Sequence, residues 1–221
     1  RCFDGGYQML IHGLVQVGIE SQHLSWLERV INRVALDSAH LRSFQEQLEP
    51  IQDGTDWQRA MMAERAMFVD TYQWARSGTG GGFATLSGMT AGAPGANATA
   101  SIWQYVPALP SLDVAYGLRM YSELVKATKS VGPQTLKRAM QSEAMTTSAP
   151  AYHVFSRLML PSLSRSVAMW LRGVGSKRAM IAALACERYR LANGEWPESL
   201  TDLVPEYLKA VPVDPFDGVP I

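Results

Sequence analysis

The sequence predicts an all-α fold or one nearly so, arranged as an irregular helical bundle or a short helical-hairpin solenoid. Apolar residues recur at three- and four-residue steps along most of the chain, the period that stacks side chains on one helical face. Strand-like alternation is absent from the first 77 residues. The pattern breaks at Gly, Pro and Asp/Ser clusters, which start and stop helices. With 221 residues, 47% hydrophobic and 18% charged, the chain is long enough to bury about 70% of its unfolded surface and too apolar for a disordered tail. No apolar run approaches the roughly 18 residues of a membrane-spanning helix. Lys and Arg together number 20, as do Asp and Glu, so overall charge makes no case for nucleic acid or an anionic membrane as partner.

From Tyr7 onward, Leu10, Leu14, Val17, Leu24, Leu27 and Ile31 define a long first helix, or two helices broken near 18–22. Asp37 and Ser38 are good N-caps for a second over about 38–49, in which Leu41, Phe44 and Leu48 repeat until Pro50. Thr55 or Asp56 caps a third, with Trp57, Met61, Glu64, Phe68, Tyr72 and Ala75 on one stripe until Ser77 and Gly78. Residues 77–101 hold seven glycines and almost no charge. This Gly/Ala-rich loop at 78–101 divides N-terminal helical hairpins (1–77) from C-terminal helices and tail (102–221). The two parts are expected to share one core, because a long amphipathic helix needs a partner for its apolar face.

Beyond the loop, Leu112, Ala115, Leu118, Tyr121, Leu124 and Val125 carry a helix over about 111–129, and Val131-Gly132-Pro133 breaks it. A short helix near 134–145 precedes a long one over about 150–192. Pro161 is expected to bend that long helix, and Gly173 and Gly175 to weaken it. Gly194 then stands where a helix-ending glycine belongs.

Charge is unevenly distributed. Residues 1–116 carry 7 basic and 11 acidic side chains, residues 117–190 carry 12 and 3, and residues 191–221 carry 1 and 6. In the basic block, Arg157, Arg165 and Arg172 are spaced by about whole turns, so one uninterrupted helix would line them along one side. Guanidinium groups in a row suit carboxylate or phosphate. The simpler expectation is that they meet acidic faces of the flanking segments in the same molecule.

Chemical motifs are few. His12, His23, His40 and His153 are scattered, and Cys2 and Cys186 form neither a disulfide framework nor a metal-ligand spacing, so no metal and no cofactor are expected. Ser87 lacks the context of a hydrolase nucleophile, and neither Gly80-Gly81-Gly82 nor Gly173-Val174-Gly175-Ser176-Lys177 has the spacing or setting of a phosphate cradle. Asn97-Ala98-Thr99 fits the glycosylation sequon, a tripeptide common by chance. The notable polar residue is Glu64, whose position puts a carboxylate on the apolar face of the third helix. A charge there must be paired, hydrogen-bonded or neutral. The expectation is an ion pair to an arginine of another helix, and the alternative is a general acid or base.

The C-terminal segment is the most distinctive. Ile181, Leu184, Tyr189 and Leu191 end an amphipathic helix, Asn193-Gly194 terminates it and Trp196-Pro197 redirects the chain. Leu200, Leu203 and Val204 then share one side of a short helix, and Asp214-Pro215-Phe216-Asp217-Gly218 is a turn, so the tail is expected to pack back on the long helix. The pattern E-R-Y-R-L-x-N-G-x-W-P-x-S-L-x-x-L-V-P-x-Y-L-x-x-V-P-x-D-P-F from Glu187 to Phe216 resembles the region after the helix in major pseudopilins of type II secretion systems. About 40 of the 221 residues carry this resemblance. The chain is still more similar to uncharacterised bacterial envelope proteins in which a large helical region precedes such a tail, and the helix around Glu64-Arg65-Ala66 resembles theirs. Two departures stand out: about 178 mainly helical residues come before the tail, and the sheet and calcium loop of pseudopilins would lie past Ile221, so no calcium ligand carries over.

The resemblance implies an extracytoplasmic, cell-envelope location and a packing role. Taken together, the sequence favours a non-enzymatic interaction or scaffold module with a protein partner in the envelope and no nucleic acid. Any membrane anchor would lie outside residues 1–221. Arg157, Arg165 and Arg172 and the glycine-rich loop are its expected contact surfaces. The alternatives are a hydrolytic enzyme using Glu64 in a cleft between helices, and a carrier of an anionic or lipid-like ligand.

Overall fold

A computed structural model describes residues 9–49, 55–77, 106, 108–150, 152–160 and 163–221. The fold is all-α. Its helices are α1 (Leu10–Arg33), α2 (Ser38–Leu48), α3 (Thr55–Ser77), α4 (Ala108–Ala127), α5 (Pro133–Thr147), α6 (Val154–Met159) and α7 (Leu163–Asn193), followed by a 3-10 helix at Leu200–Leu203. Among the described residues the only extended pairing outside helices is one antiparallel bridge between Val213 and Pro220. The glycine-rich loop, with Ser87, Gly80-Gly81-Gly82 and the Asn97 sequon, lies outside the described residues, as does Cys2.

Contacts divide the chain into two units, each drawing on both halves of the sequence. The first takes the chain through Leu10, Asp56–Lys129 and Gln134–Val167. Its centre is aromatic. Phe68 of α3 lies 5.4 Å from the Tyr121 ring of α4 and 4.7 Å from the Phe155 ring of α6, all three almost wholly buried. Tyr72, one turn on from Phe68, reaches the same Phe155 at 6.0 Å. The stripe expected on α3 is buried throughout, from Trp57 to Ala75. On α4 the expected stripe holds at Tyr121 and Leu124, which are buried, and is corrected toward the N-terminus: Leu112 is 55% exposed and Ala115 also faces out, whereas Asp113, Gly117 and Met120 are buried. Periodicity alone favoured the leucine. The buried face is set instead by Gly117, whose missing side chain leaves room for the Phe68 ring.

The second unit comprises Ile11–Thr55, Ser130–Pro133 and Ala168–Ile221, with the C-terminal part of α7 as its spine. Helix α1 is unbroken from Leu10 to Arg33, so the interruption considered near 18–22 is not present. It meets α7 where Val17 faces Gly173 and where buried Lys177 pairs with Glu20. Gly173 and Gly175 therefore leave α7 continuous: one faces Val17 and the other faces the Pro215 ring. Asp37 caps α2 by accepting the N–H of His40 at 2.8 Å.

The tail packs on α7 as expected. Ile181 and Ala185 of α7 bury Leu203 and Leu208, with Leu48, Tyr189, Leu200 and Tyr207 closing around them. Gly194 ends α7 at φ +81°, donating its N–H to the Arg190 carbonyl at 2.8 Å. Ser199 and Asp202 form a capping box on the 3-10 helix. The single helix expected over about 150–192 is corrected to two. Helix α6 stops at Met159 and α7 starts at Leu163, with Pro161 between them. A proline removes a backbone donor and clashes with the preceding turn, so it ends the helix here instead of bending it.

A methyl group on Gly117 would overlap Phe68 Cζ and stand 2.8 Å from Ser156 Oγ. Ala is the better helix former by about 1 kcal/mol, yet overpacking a core costs about 1–3 kcal/mol. Gly117→Ala is therefore expected to lower the unfolding free energy in urea titrations, and a stabilised variant would disprove the close approach.

Candidate functional site

Glu64 is the first candidate. Its carboxylate accepts the backbone N–H of Leu10, the first residue of α1, at 2.9 Å. The expected arginine partner is thus corrected: no arginine pairs with Glu64 among the described residues. A helix start carries unsatisfied N–H groups and positive partial charge, so it supplies the compensation that a guanidinium was expected to give. Burial nonetheless raises the Glu64 pKa, and the Leu10 hydrogen bond only partly opposes that rise. Burial likewise raises the phenol of Tyr121, and the charge of Glu64 adds to the effect.

A second buried acid went unnoticed in the sequence. Asp113 of α4 is wholly buried and receives the N–H of Phe155 at 2.7 Å and of Ser156 at 3.1 Å, which closes the start of α6. Ser156 Oγ donates to the Asp113 carbonyl at 2.9 Å. His153 Nδ1 stands 3.5 Å from the same carboxylate, with its ring centre 4.4 Å from that of Tyr116 and 4.5 Å from that of Tyr152. Burial raises the Asp113 pKa, against the hydrogen bonds from Ser156 and Phe155. The helical phase shared by Asp113, Gly117 and Met120 carried the same signal as that of Glu64, but Leu112 drew the stripe one residue away.

The arginines are not brought into one row. Arg157 is on α6, whereas Arg165 and Arg172 are on α7, so the eight-residue step from 157 to 165 does not run along one helix. All three are exposed, and none pairs with a carboxylate among the described residues. This corrects the expectation that flanking acidic faces neutralise them. Arg42, Arg59, Lys126, Lys177, Arg190 and Lys209 are in ion pairs, while the exposed Arg65, Arg76 and Lys137 are, like Arg157, Arg165 and Arg172, in none among the described residues.

The tail of the second unit carries two open clefts of about 340 Å³ each. One is lined by Arg178, Ile181, Leu208 and Val211, the other by Arg42, Glu46, Arg188 and Tyr207. Both are internally compensated. Arg42 pairs with Glu46 at 3.1 Å, Lys209 with Glu49 at 2.6 Å, and Arg178 donates to the Val213 carbonyl at 2.7 Å. The second cleft also holds a polar lock: buried Gln45 donates to the Tyr207 carbonyl at 2.7 Å and accepts from Arg188 at 2.9 Å. The Arg188 guanidinium also lies 5.3 Å over the Tyr207 ring. Burial and the neighbouring Arg42 lower the Arg188 pKa. Burial raises that of the half-buried Cys186 thiol. Among the described residues no cluster of three or more His, Cys, Asp or Glu side chains could hold a metal.

Comparisons with protein-family models, with curated proteins and with solved structures find no match to this chain.

A folded-state pKa raised above the ordinary 4.5 means that Glu64 favours folding while protonated and loses that contribution as pH rises through the raised value. Glu64→Gln keeps an acceptor for Leu10 and removes the ionisation. Its stability relative to wild type, from urea midpoints, should therefore improve as pH rises above 4.5, and a pH-independent difference would refute the raised value. Asp113→Ala leaves two buried N–H donors without an acceptor and should cost about 2–5 kcal/mol. Asp113→Asn, which keeps one acceptor oxygen, should cost less, and equal losses would show that the cap is not what stabilises α6.

Proposed function

We propose that this chain is a non-enzymatic interaction or scaffold module of the bacterial cell envelope, related to the helical proteins that carry a pseudopilin-like tail. Its contacts are made to acidic protein surfaces by exposed arginines, Arg157 and Arg165 in the first unit and Arg172 in the second. The observation that carries this reading is that these three are exposed, without an ion-pair partner among the described residues, within the stretch 117–190 that carries 12 basic and only 3 acidic side chains. An unpaired surface guanidinium keeps its fork of donors available for an incoming carboxylate.

Two further features support it over the hydrolytic alternative. Glu64, the acid on which that alternative rests, already accepts a helix N-terminal N–H. The clasp itself supplies rigidity, since Gln45, Arg188 and Tyr207 tie α2, α7 and the tail together.

The test is a photo-crosslinking amino acid placed beside Arg172 in the full-length protein in its native host. A discrete adduct with an envelope protein is expected, reduced severalfold by Arg165→Glu with Arg172→Glu and unaffected by Glu64→Gln. An adduct indifferent to the charge reversals, or formed only with cytoplasmic proteins, would overturn the proposal.

A further inference from the structure

Helix α1 is apolar on two opposite faces. Leu14, Val17, Leu24, Leu27 and Ile31 lie on the side turned into the second unit, where Glu20 meets Lys177 and Val17 meets Gly173. The other side carries Ile11, Val15, Ile19 and Trp26, exposed by 58%, 55%, 49% and 65%. At 100° per residue these four fall within an arc of about 80° and form a ridge roughly 22 Å long. Single exposed apolar residues are ordinary, but four large ones aligned on one helix face mark a surface that something covers.

The charges around the ridge indicate what covers it. Arg29 and Arg33 continue its line at the C-terminal end, and neither is paired with a carboxylate among the described residues. The Arg29 guanidinium stands 5.8 Å from the centre of the Trp26 ring. No carboxylate lies on this arc: Glu20 is bound to Lys177, and Glu28 falls on the opposite side of the helix by the same angular count. A second copy of the chain would bring an identical ridge without any acid to meet these arginines. A protein partner is read through about ten hydrogen bonds in a standard interface, whereas between Ile11 and Trp26 the arc holds a single polar side chain, the amide of Gln22. An apolar ridge continued by a tryptophan and two arginines without a described carboxylate partner matches an anionic interface on which a helix lies flat: the apolar side chains and the indole enter the headgroup–acyl boundary, and the arginine stems let the guanidinium groups reach phosphate.

We propose that this face of α1 docks on an anionic lipid surface, lying in the plane of the interface. It does not span the membrane: among the described residues no helix is long and apolar enough to cross one. The inference uses a different surface from the arginine contacts proposed above and does not depend on them.

The test is cosedimentation of the whole chain with phosphatidylcholine vesicles that contain or lack phosphatidylglycerol. Binding is expected with phosphatidylglycerol present and should weaken as salt is added. Ile19→Asp, at an exposed position, should reduce the partition coefficient about tenfold or more with unchanged helical circular dichroism. Arg29→Gln with Arg33→Gln should reduce it about thirtyfold, from about 1 kcal/mol per arginine. Met140→Asp, at a residue 57% exposed on α5, should leave it unchanged. Failure to bind, equal binding to phosphatidylcholine alone, or an equal loss in Met140→Asp would overturn the proposal. So would a self-associated species, seen by ultracentrifugation without lipid, that Ile19→Asp dissolves, because the ridge would then be a protein interface.

Discussion

The second unit depends on the buried amide of Gln45. One side chain of α2 satisfies a tail carbonyl with its nitrogen and a guanidinium of α7 with its oxygen. A buried amide with either end unmatched would cost the unit several times what one exposed hydrogen bond contributes. The three elements are therefore held in one register, and the apolar contacts of Ile181, Ala185, Leu203 and Leu208 form within it. Hydrophobic burial makes the tail adhere, while Gln45 decides where.

The first unit uses carboxylates in a related way. Glu64 and Asp113 are both acids on buried helix faces, and both end on backbone N–H groups at the start of another helix. A helix terminus presents several donors and a positive partial charge without a long side chain to immobilise, so it compensates a buried acid at less entropic cost than an arginine would. The acids that resemble catalytic groups by burial and raised pKa thus also join helices. Perturbed titration marks candidate active sites, but structural networks perturb it as well.

The contacts proposed for this chain are on its surface. Arg157, Arg165 and Arg172 suit an acidic partner, and Arg29 and Arg33 extend an uncovered apolar ridge. The two chemistries are distinct, exposed guanidinium groups on α6 and α7 in one case and an apolar ridge on α1 in the other.

The sequence by itself determined the class of fold, the stripe of α3 from Trp57 to Ala75, the Asp37 cap, the stop at Gly194 and the return of the tail onto α7. Each of these follows from forces acting within a few turns of chain: helical period, capping and the conformational freedom of glycine. Only the tertiary structure decided that Asp113 is buried and Leu112 exposed, because that depends on a ring from α3 entering the gap above Gly117. It likewise decided that Glu64 meets Leu10, 54 residues away, instead of an arginine. The second apolar face of α1 was present in the letters all along, but which face is covered depends on what packs against it. Periodicity ranks the faces of a helix, and long-range packing chooses among them.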